Sequence, residues 1–80
     1  MRSEKELFNL AKDMVFIEDK LQANVSELMR EELTLAAAEI REALLKKNYD
    51  VNTFLHYKEI YPKMTVSEYY AFMDELDKME

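Results

Sequence analysis

The chain has 80 residues and a formal net charge of −6, and it contains no glycine, no cysteine and a single proline, Pro62. Without cysteine it has neither disulfides nor cysteine-bound zinc or iron–sulfur sites, and without glycine it lacks phosphate-cradling glycine loops. A chain of this length is expected to form one domain, residues 1–80, and to bury only about 60 to 65% of the surface that its unfolded form exposes.

Charge and hydropathy predict the setting of the protein. No segment resembles a secretory signal, and no apolar run reaches the roughly 18 residues that a membrane span needs. Together with the missing cysteines, this predicts a cytoplasmic protein that does not bind membranes. Basic residues cluster only at Lys46 and Lys47, so we expect no direct nucleic-acid binding. The acidity either serves solubility or attracts a partner protein with a basic surface.

The first predicted helix covers about residues 4–22. Ser3, followed three residues later by Glu6, forms a capping box at its start. Apolar residues then recur at spacings of three and four, which is typical of one helix face. The members of this stripe are Leu7, Leu10, Met14, Ile17 and Leu21. Because so short a chain buries little surface, the stripe is predicted to mediate self-association.

The second predicted helix covers about residues 25–47, after a break at Asn24, which is predicted to cap it with Glu27 as reciprocal partner. The alternative is one continuous helix over residues 4–47, since neither glycine nor proline enforces a stop. Asn48 is a plausible left-handed stop for the second helix. Apolar residues outside its main stripe are Leu28, Leu35, Ala38 and Leu45. The run from Leu33 to Ala38 is apolar except for Thr34, so this stretch is predicted to be contacted from two sides, and the helix is predicted to be the central one.

Two shorter helices are predicted over about residues 51–61 and 66–78. Asp50 is a good cap for the third helix, and Pro62 is predicted to end it. The fourth begins with a capping box that starts at Thr65. The predicted fold class is all-α, a small three- to four-helix bundle in which the first two helices form an antiparallel hairpin and the shorter helices pack across it.

The sequence offers little for catalysis or metal binding, and we predict neither an enzyme nor a cofactor. The one histidine is His56, and the three serines are explained as helix caps or first-turn residues. His56 and Glu59 reverse the Glu-x-x-His order of di-iron bundles, and the pattern occurs once. The calcium-binding loop, which needs a glycine between spaced aspartates, is absent.

Aromatic and acidic residues concentrate near the C-terminal end. Five tyrosines fall within residues 49–70, and residues 51–80 carry three basic and six acidic side chains. Tyrosine is enriched at the centres of protein interfaces. The leading hypothesis is a protein-binding regulator or adaptor that occupies a partner's surface, as an inhibitor or a mimic of nucleic-acid charge. The residues predicted to bind are Tyr57, Tyr61, Tyr69, Tyr70, Asp74, Glu75 and Asp77.

Two alternatives stay open. The tyrosine rings could pack edge-on against a small core, with their hydroxyls in water, in which case they mark no interface. The protein could instead be a structural or assembly component that forms a small homo-oligomer through the stripe of the first helix.

Overall fold

The computed structural model describes residues 3–79, which form helices joined by short connections and contain no strand. The elements in chain order are α1 (Glu4–Gln22), α2 (Glu27–Lys46), α3 (Val51–Ile60), a 3₁₀ turn (Tyr61–Lys63) and α4 (Val66–Met79). The predicted all-α class and four-helix division are confirmed. The continuous helix over residues 4–47 is excluded, because Ala23 is extended, with φ −80° and ψ 167°.

Three of the predicted caps are present. The Ser3 hydroxyl accepts a hydrogen bond from the Glu6 amide at 3.1 Å, and the Asp50 carboxylate accepts one from the Asn52 amide at 3.3 Å. At α4 the capping box is reciprocal: Thr65 Oγ1 accepts from the Glu68 amide at 3.2 Å, while the Thr65 amide donates to the Glu68 carboxylate at 2.9 Å. These bonds satisfy amide groups that have no partner inside a helix.

Two boundaries differ from the prediction. Asn24 does not cap α2; the cap is Ser26, whose hydroxyl accepts from the Met29 amide at 3.2 Å. The third helix ends at Ile60 rather than at Tyr61, and Pro62 lies inside the 3₁₀ turn that follows. Asn48 has the left-handed conformation predicted for it, with φ 54°.

The central helix is α1, so the prediction that residues 25–47 form it was wrong. Helices α2, α3 and α4 all pack on α1, whereas α2 packs chiefly against α1 alone. Helix α2 is antiparallel to α1, because Arg30 donates to the Leu21 carbonyl at 3.3 Å while Lys47, at the other end of α2, bonds Glu6. A stripe of apolar residues shows which face of a helix is apolar but not how many helices pack on it. The other helices cover more of the circumference of α1 than its stripe indicates.

The core forms where α1 meets the aromatic residues of α3 and α4. Phe8 is completely buried, and its ring centroid lies 5.4 Å from that of Tyr57 and 4.8 Å from that of Phe72. The Tyr57–Phe72 and Phe8–Tyr57 contacts are edge-to-face, an arrangement that aromatic rings favour. Residues from all four helices join this cluster, so one core fixes the relative positions of the surfaces described below.

A polar cluster joins the start of α1 to the end of α2. The Glu6 carboxylate accepts hydrogen bonds from the Lys47 ammonium and, at 2.9 Å, from the Tyr49 hydroxyl. The Tyr49 oxygen in turn accepts from the Ser3 amide at 3.1 Å. The bond from Lys47, followed by that from Tyr49, lowers the pKa of Glu6 below its usual value of 4.5. The ionised carboxylate is therefore stabilised in the folded state.

This cluster predicts acid sensitivity. A folded-state pKa that is lower than the unfolded one contributes stability above about pH 4.5, and that stability is lost as the pH falls through the folded pKa. We expect Glu6→Gln to lower the melting temperature at neutral pH, and the difference from wild type to shrink towards about pH 3. Circular dichroism melts across this range test it. Glu59→Gln, which alters an exposed carboxylate 3.9 Å from Lys63, is the control; an equal effect there would contradict the role of Glu6.

Candidate protein-binding surfaces

Tyr57, one of the residues predicted to bind a partner, belongs to the core. Its ring is buried against Phe8 and Phe72, and its hydroxyl donates a hydrogen bond to the Glu4 carboxylate at 2.8 Å. Burial, followed by the bond to Glu4, raises the pKa of Tyr57 to about 12. The neutral phenol therefore holds α3 against α1, and for this ring the core alternative is correct.

Tyr61, Tyr69 and Tyr70 line one shallow cleft, of about 300 Å³, beside the 3₁₀ turn. Tyr61 and Tyr69 are half-buried, whereas Tyr70 is exposed. The Lys12 ammonium donates to the Tyr69 hydroxyl at 3.0 Å and lies 5.3 Å from the centre of its ring. This hydrogen bond raises the pKa of Lys12. Tyr70 is thus the one predicted tyrosine whose ring is mainly in solvent.

The three predicted acids do not form one patch. At 100° per residue, Asp74 and Asp77 lie on the same side of α4 as Tyr70, and Glu75 lies on a different side. Asp77 accepts a hydrogen bond from Lys5 at 2.8 Å, with both side chains partly exposed. Glu75 lines a separate cleft between α3 and α4. The fold therefore divides the predicted partner-binding residues between the core and two surfaces.

The stripe predicted for self-association is used inside the monomer. Leu7, Met14 and Ile17 are buried, and Leu10 and Leu21 are half-buried against the same core. Because α1 is surrounded by the other helices, these side chains already have partners within the chain. Most of the stripe is therefore covered within one folded chain, and self-association through it stays a prediction.

An apolar groove runs between α1 and α2, with a volume of about 470 Å³. Its floor and walls are mostly apolar, and each helix adds one carboxylate, Asp13 from α1 and Glu39 from α2. Phe16, at one edge, has 59% of its surface exposed. The apolar lining residues are Leu10, Phe16, Ile17, Leu33, Ala36 and Ile40. This set is named the α1–α2 groove.

The outer face of α2 points away from α1 and adjoins the groove at Glu39. Leu28 and Leu35, seven residues apart and therefore on one side of the helix, are 67% and 65% exposed. Glutamates stand three or four residues from Leu35 on this face, and all are exposed. They are Glu31, Glu32 and Glu39. Within residues 3–79, none of the three forms an ion pair, so this apolar row has an acidic rim whose charge is not neutralised locally.

The sequence contained a signal for this surface. Leu28 and Leu35 lie outside the main stripe of α2. The apolar run that contains Leu35 predicted contact from two sides. The structure supplies one side, α1, and leaves the other uncovered. What the sequence could not show is that α3 and α4 pack on α1 instead of on α2.

The cleft that Glu75 lines also contains His56, the one histidine of the sequence. It measures about 420 Å³ and lies between α3 and α4, where Glu75 supplies a carboxylate and Phe72, Leu76 and Met79 supply apolar walls. Among residues 3–79, no three His, Asp or Glu side chains are grouped as a metal site requires.

Comparison with known proteins found no matching protein-family model, no matching curated protein and no matching solved structure. Over residues 3–79, every helix is too short or too polar to span a lipid bilayer.

Proposed function

We propose that this protein is a small acidic binding module that occupies a basic surface of a partner protein, and that the α1–α2 groove with the adjoining face of α2 is its contact surface. The observation that carries the proposal is the uncovered apolar row of Leu28 and Leu35, rimmed by carboxylates. Contiguous exposed apolar surface with a polar rim is typical of interaction sites.

The apolar side chains and the carboxylates of this surface contribute differently to binding. Burial of the leucines and of Phe16 supplies affinity, because apolar area leaves water. The carboxylates of Asp13, Glu32 and Glu39 speed the encounter with a basic partner and disfavour acidic ones. Occupying a partner's basic groove in this way makes the protein a regulator or an inhibitor, with charge that resembles that of nucleic acid. We place this activity in the cytoplasm, since a chain without cysteine needs no oxidising compartment.

Assembly into a homo-oligomer is the competing proposal. Most of the α1 stripe is covered within one chain, so a second copy would reach only the members that line the α1–α2 groove, Leu10 and Ile17. A symmetric pairing through that surface would bring the glutamates of one copy against those of the other. Like charges in contact cost free energy, so the charge pattern favours a basic partner of a different kind.

Two matched double variants test where the partner binds. Asp13→Asn with Glu39→Gln, and Asp74→Asn with Glu75→Gln, each remove two acids and change the net charge from −6 to −4. In affinity capture at low salt, we expect the wild type and the α4 double variant to retain the same partner and the groove variant to lose it. Salt of about 1 M, where the screening length is ~3 Å, should release it.

Three results would contradict the proposal. Capture of no protein at low salt would argue against any binder, and retention that is unchanged at high salt would argue against an electrostatic contact. Loss of the partner by the Asp74→Asn and Glu75→Gln variant alone would move the site to the C-terminal acids. Because both variants change the net charge equally, a general effect of charge would weaken both alike.

A further inference from the structure

We infer that the occupant of the α1–α2 groove is an amphipathic helix with an apolar face and a basic rim. This inference rests on the proposed function and names the partner element that the groove accepts. It is carried by the shape of the groove, by the state of the backbone that lines it and by the charges at its edges.

The shape suits a helix. The groove is formed by two antiparallel helices, and the lining residues of α2, from Leu33 to Ile40, span about 10 Å at 1.5 Å per residue. That length accommodates about two turns of a third helix lying along the groove. Ala36 lies half-buried within it, and a small side chain at this position lets a third helix come close.

The backbone excludes an extended segment. A strand-like peptide binds by adding to a sheet edge, where its amides and carbonyls find partners. Residues 3–79 contain no strand, and the groove walls are helices whose backbone groups are bonded internally. An extended peptide on this floor would leave buried polar groups unpaired, which costs free energy. A helix satisfies its own backbone and presents only side chains.

The charges define the flanks of the ligand. Asp13 stands on the α1 wall and Glu39 on the α2 wall. Glu32 lies about two turns before Glu39 on the same side of α2. Lysine or arginine on both sides of the apolar face of a docked helix would meet these carboxylates. The Leu28 and Leu35 face of α2 in a second copy would not meet this requirement, because it is rimmed by glutamate.

The test uses a designed peptide of about 14 residues, the length at which an isolated helix becomes marginally stable. Leucines at positions i, i+3, i+4 and i+7 form its apolar face, with lysines on both flanks. The comparison peptides are a scrambled sequence of the same composition and a version with glutamate in place of lysine. Binding to the whole chain is measured by fluorescence anisotropy, and the bound peptide's helicity by circular dichroism.

Two alanines of α2 provide the matched variants. Ala36 lines the groove, whereas Ala38 is exposed and points about 160° away from it. We expect Ala36→Gln, which fills the groove without changing charge, to weaken the leucine–lysine peptide by about tenfold or more. Ala38→Gln should leave its affinity unchanged. A second pair repeats the comparison at exposed apolar side chains should Ala36→Gln fold poorly: Phe16→Gln, which lies in the groove, should weaken binding, and Leu45→Gln, which lies outside it, should not.

The inference is overturned if the scrambled peptide binds as tightly as the designed one, if the glutamate version binds equally, or if Ala36→Gln and Ala38→Gln have the same effect. These outcomes are separate from failure of the proposed function. If a natural partner depends on Asp13 and Glu39 but the protein shows no preference for the helical peptide, the proposed function is supported and the inference of a helical ligand is overturned.

Discussion

Replacing Phe8 with alanine is expected to lower the free energy of unfolding by roughly 3–5 kcal/mol, the usual loss for a buried aromatic ring. Phe8 is 0% exposed, and rings from α3, the 3₁₀ turn and α4 surround it, with centroids 4.8 to 6.1 Å away. A natural domain of this length has a total stability of roughly 4–12 kcal/mol. We therefore expect the variant to lose a large part of its stability and to unfold at a clearly lower urea concentration.

Phe16→Ala is the matched control, because it removes the same side chain from the same helix at a position that is 59% exposed. We expect a change of about 0.5 kcal/mol or less. Urea unfolding followed by circular dichroism measures both variants. Similar losses for Phe8 and Phe16 would contradict the aromatic core described here, and a larger loss for Phe16 would place the core in the α1–α2 groove.

The second large effect is expected for Leu76→Ala, at roughly 2–5 kcal/mol. Leu76 is 2% exposed and is the one buried residue of α4 among those that the structure describes. Its removal leaves α4 held mainly by half-buried rings and by exposed pairs such as Lys5–Asp77, which contribute little. We expect α4 to open separately from the rest of the fold, as weakly anchored elements do.

Native-state hydrogen exchange distinguishes this local opening from global unfolding. Amides of α4 should lose protection in Leu76→Ala while those of α1 retain more of theirs. Met79→Ala, at a position that is 68% exposed on the same helix, should leave exchange in α4 near wild type. Equal loss of protection throughout the chain would show that α4 and α1 open together.

The helix boundaries could be predicted because local chemistry determines them. A serine or threonine with glutamate three residues later satisfies unpaired amides within one turn, and Ser3 and Thr65 do so as expected. Asn24 failed as a cap because Ser26 lies two residues further on and bonds the Met29 amide instead. The helix therefore begins after Ser26 rather than after Asn24.

The packing partners could not be predicted, because periodicity identifies an apolar face without saying what covers it. The stripe of α1 was expected to pair copies of the chain, yet Leu7, Met14 and Ile17 are buried within one copy, and Leu10 and Leu21 are half-buried there. Among the tyrosines, Tyr57 is buried and Tyr70 is exposed because Phe8, far away in sequence, contacts the first and not the second. A pattern within one helix carries no information on such a contact.

The core around Phe8 leaves the acidic and apolar face of α2, beside the α1–α2 groove, uncovered. This surface contrasts with the predicted C-terminal surface, whose residues the fold divides. Tyr57 supports the core, Tyr61 and Tyr69 pack against Phe8, and Glu75 lies in another cleft. A partner that binds apolar and acidic groups together can contact both on α2, where they are adjacent.

Site-specific photo-crosslinking tests whether the exposed face of α2 is the surface that contacts a partner. A benzophenone amino acid replaces Leu35 in one variant, Leu45 on the same helix in a second and Tyr70 on α4 in a third, each side chain being exposed. We expect the probe at position 35 to crosslink to a basic partner protein, and the probes at positions 45 and 70 not to do so. A crosslink to a partner from position 70 without one from position 35, or a product from position 35 that is a dimer of this chain, would contradict it.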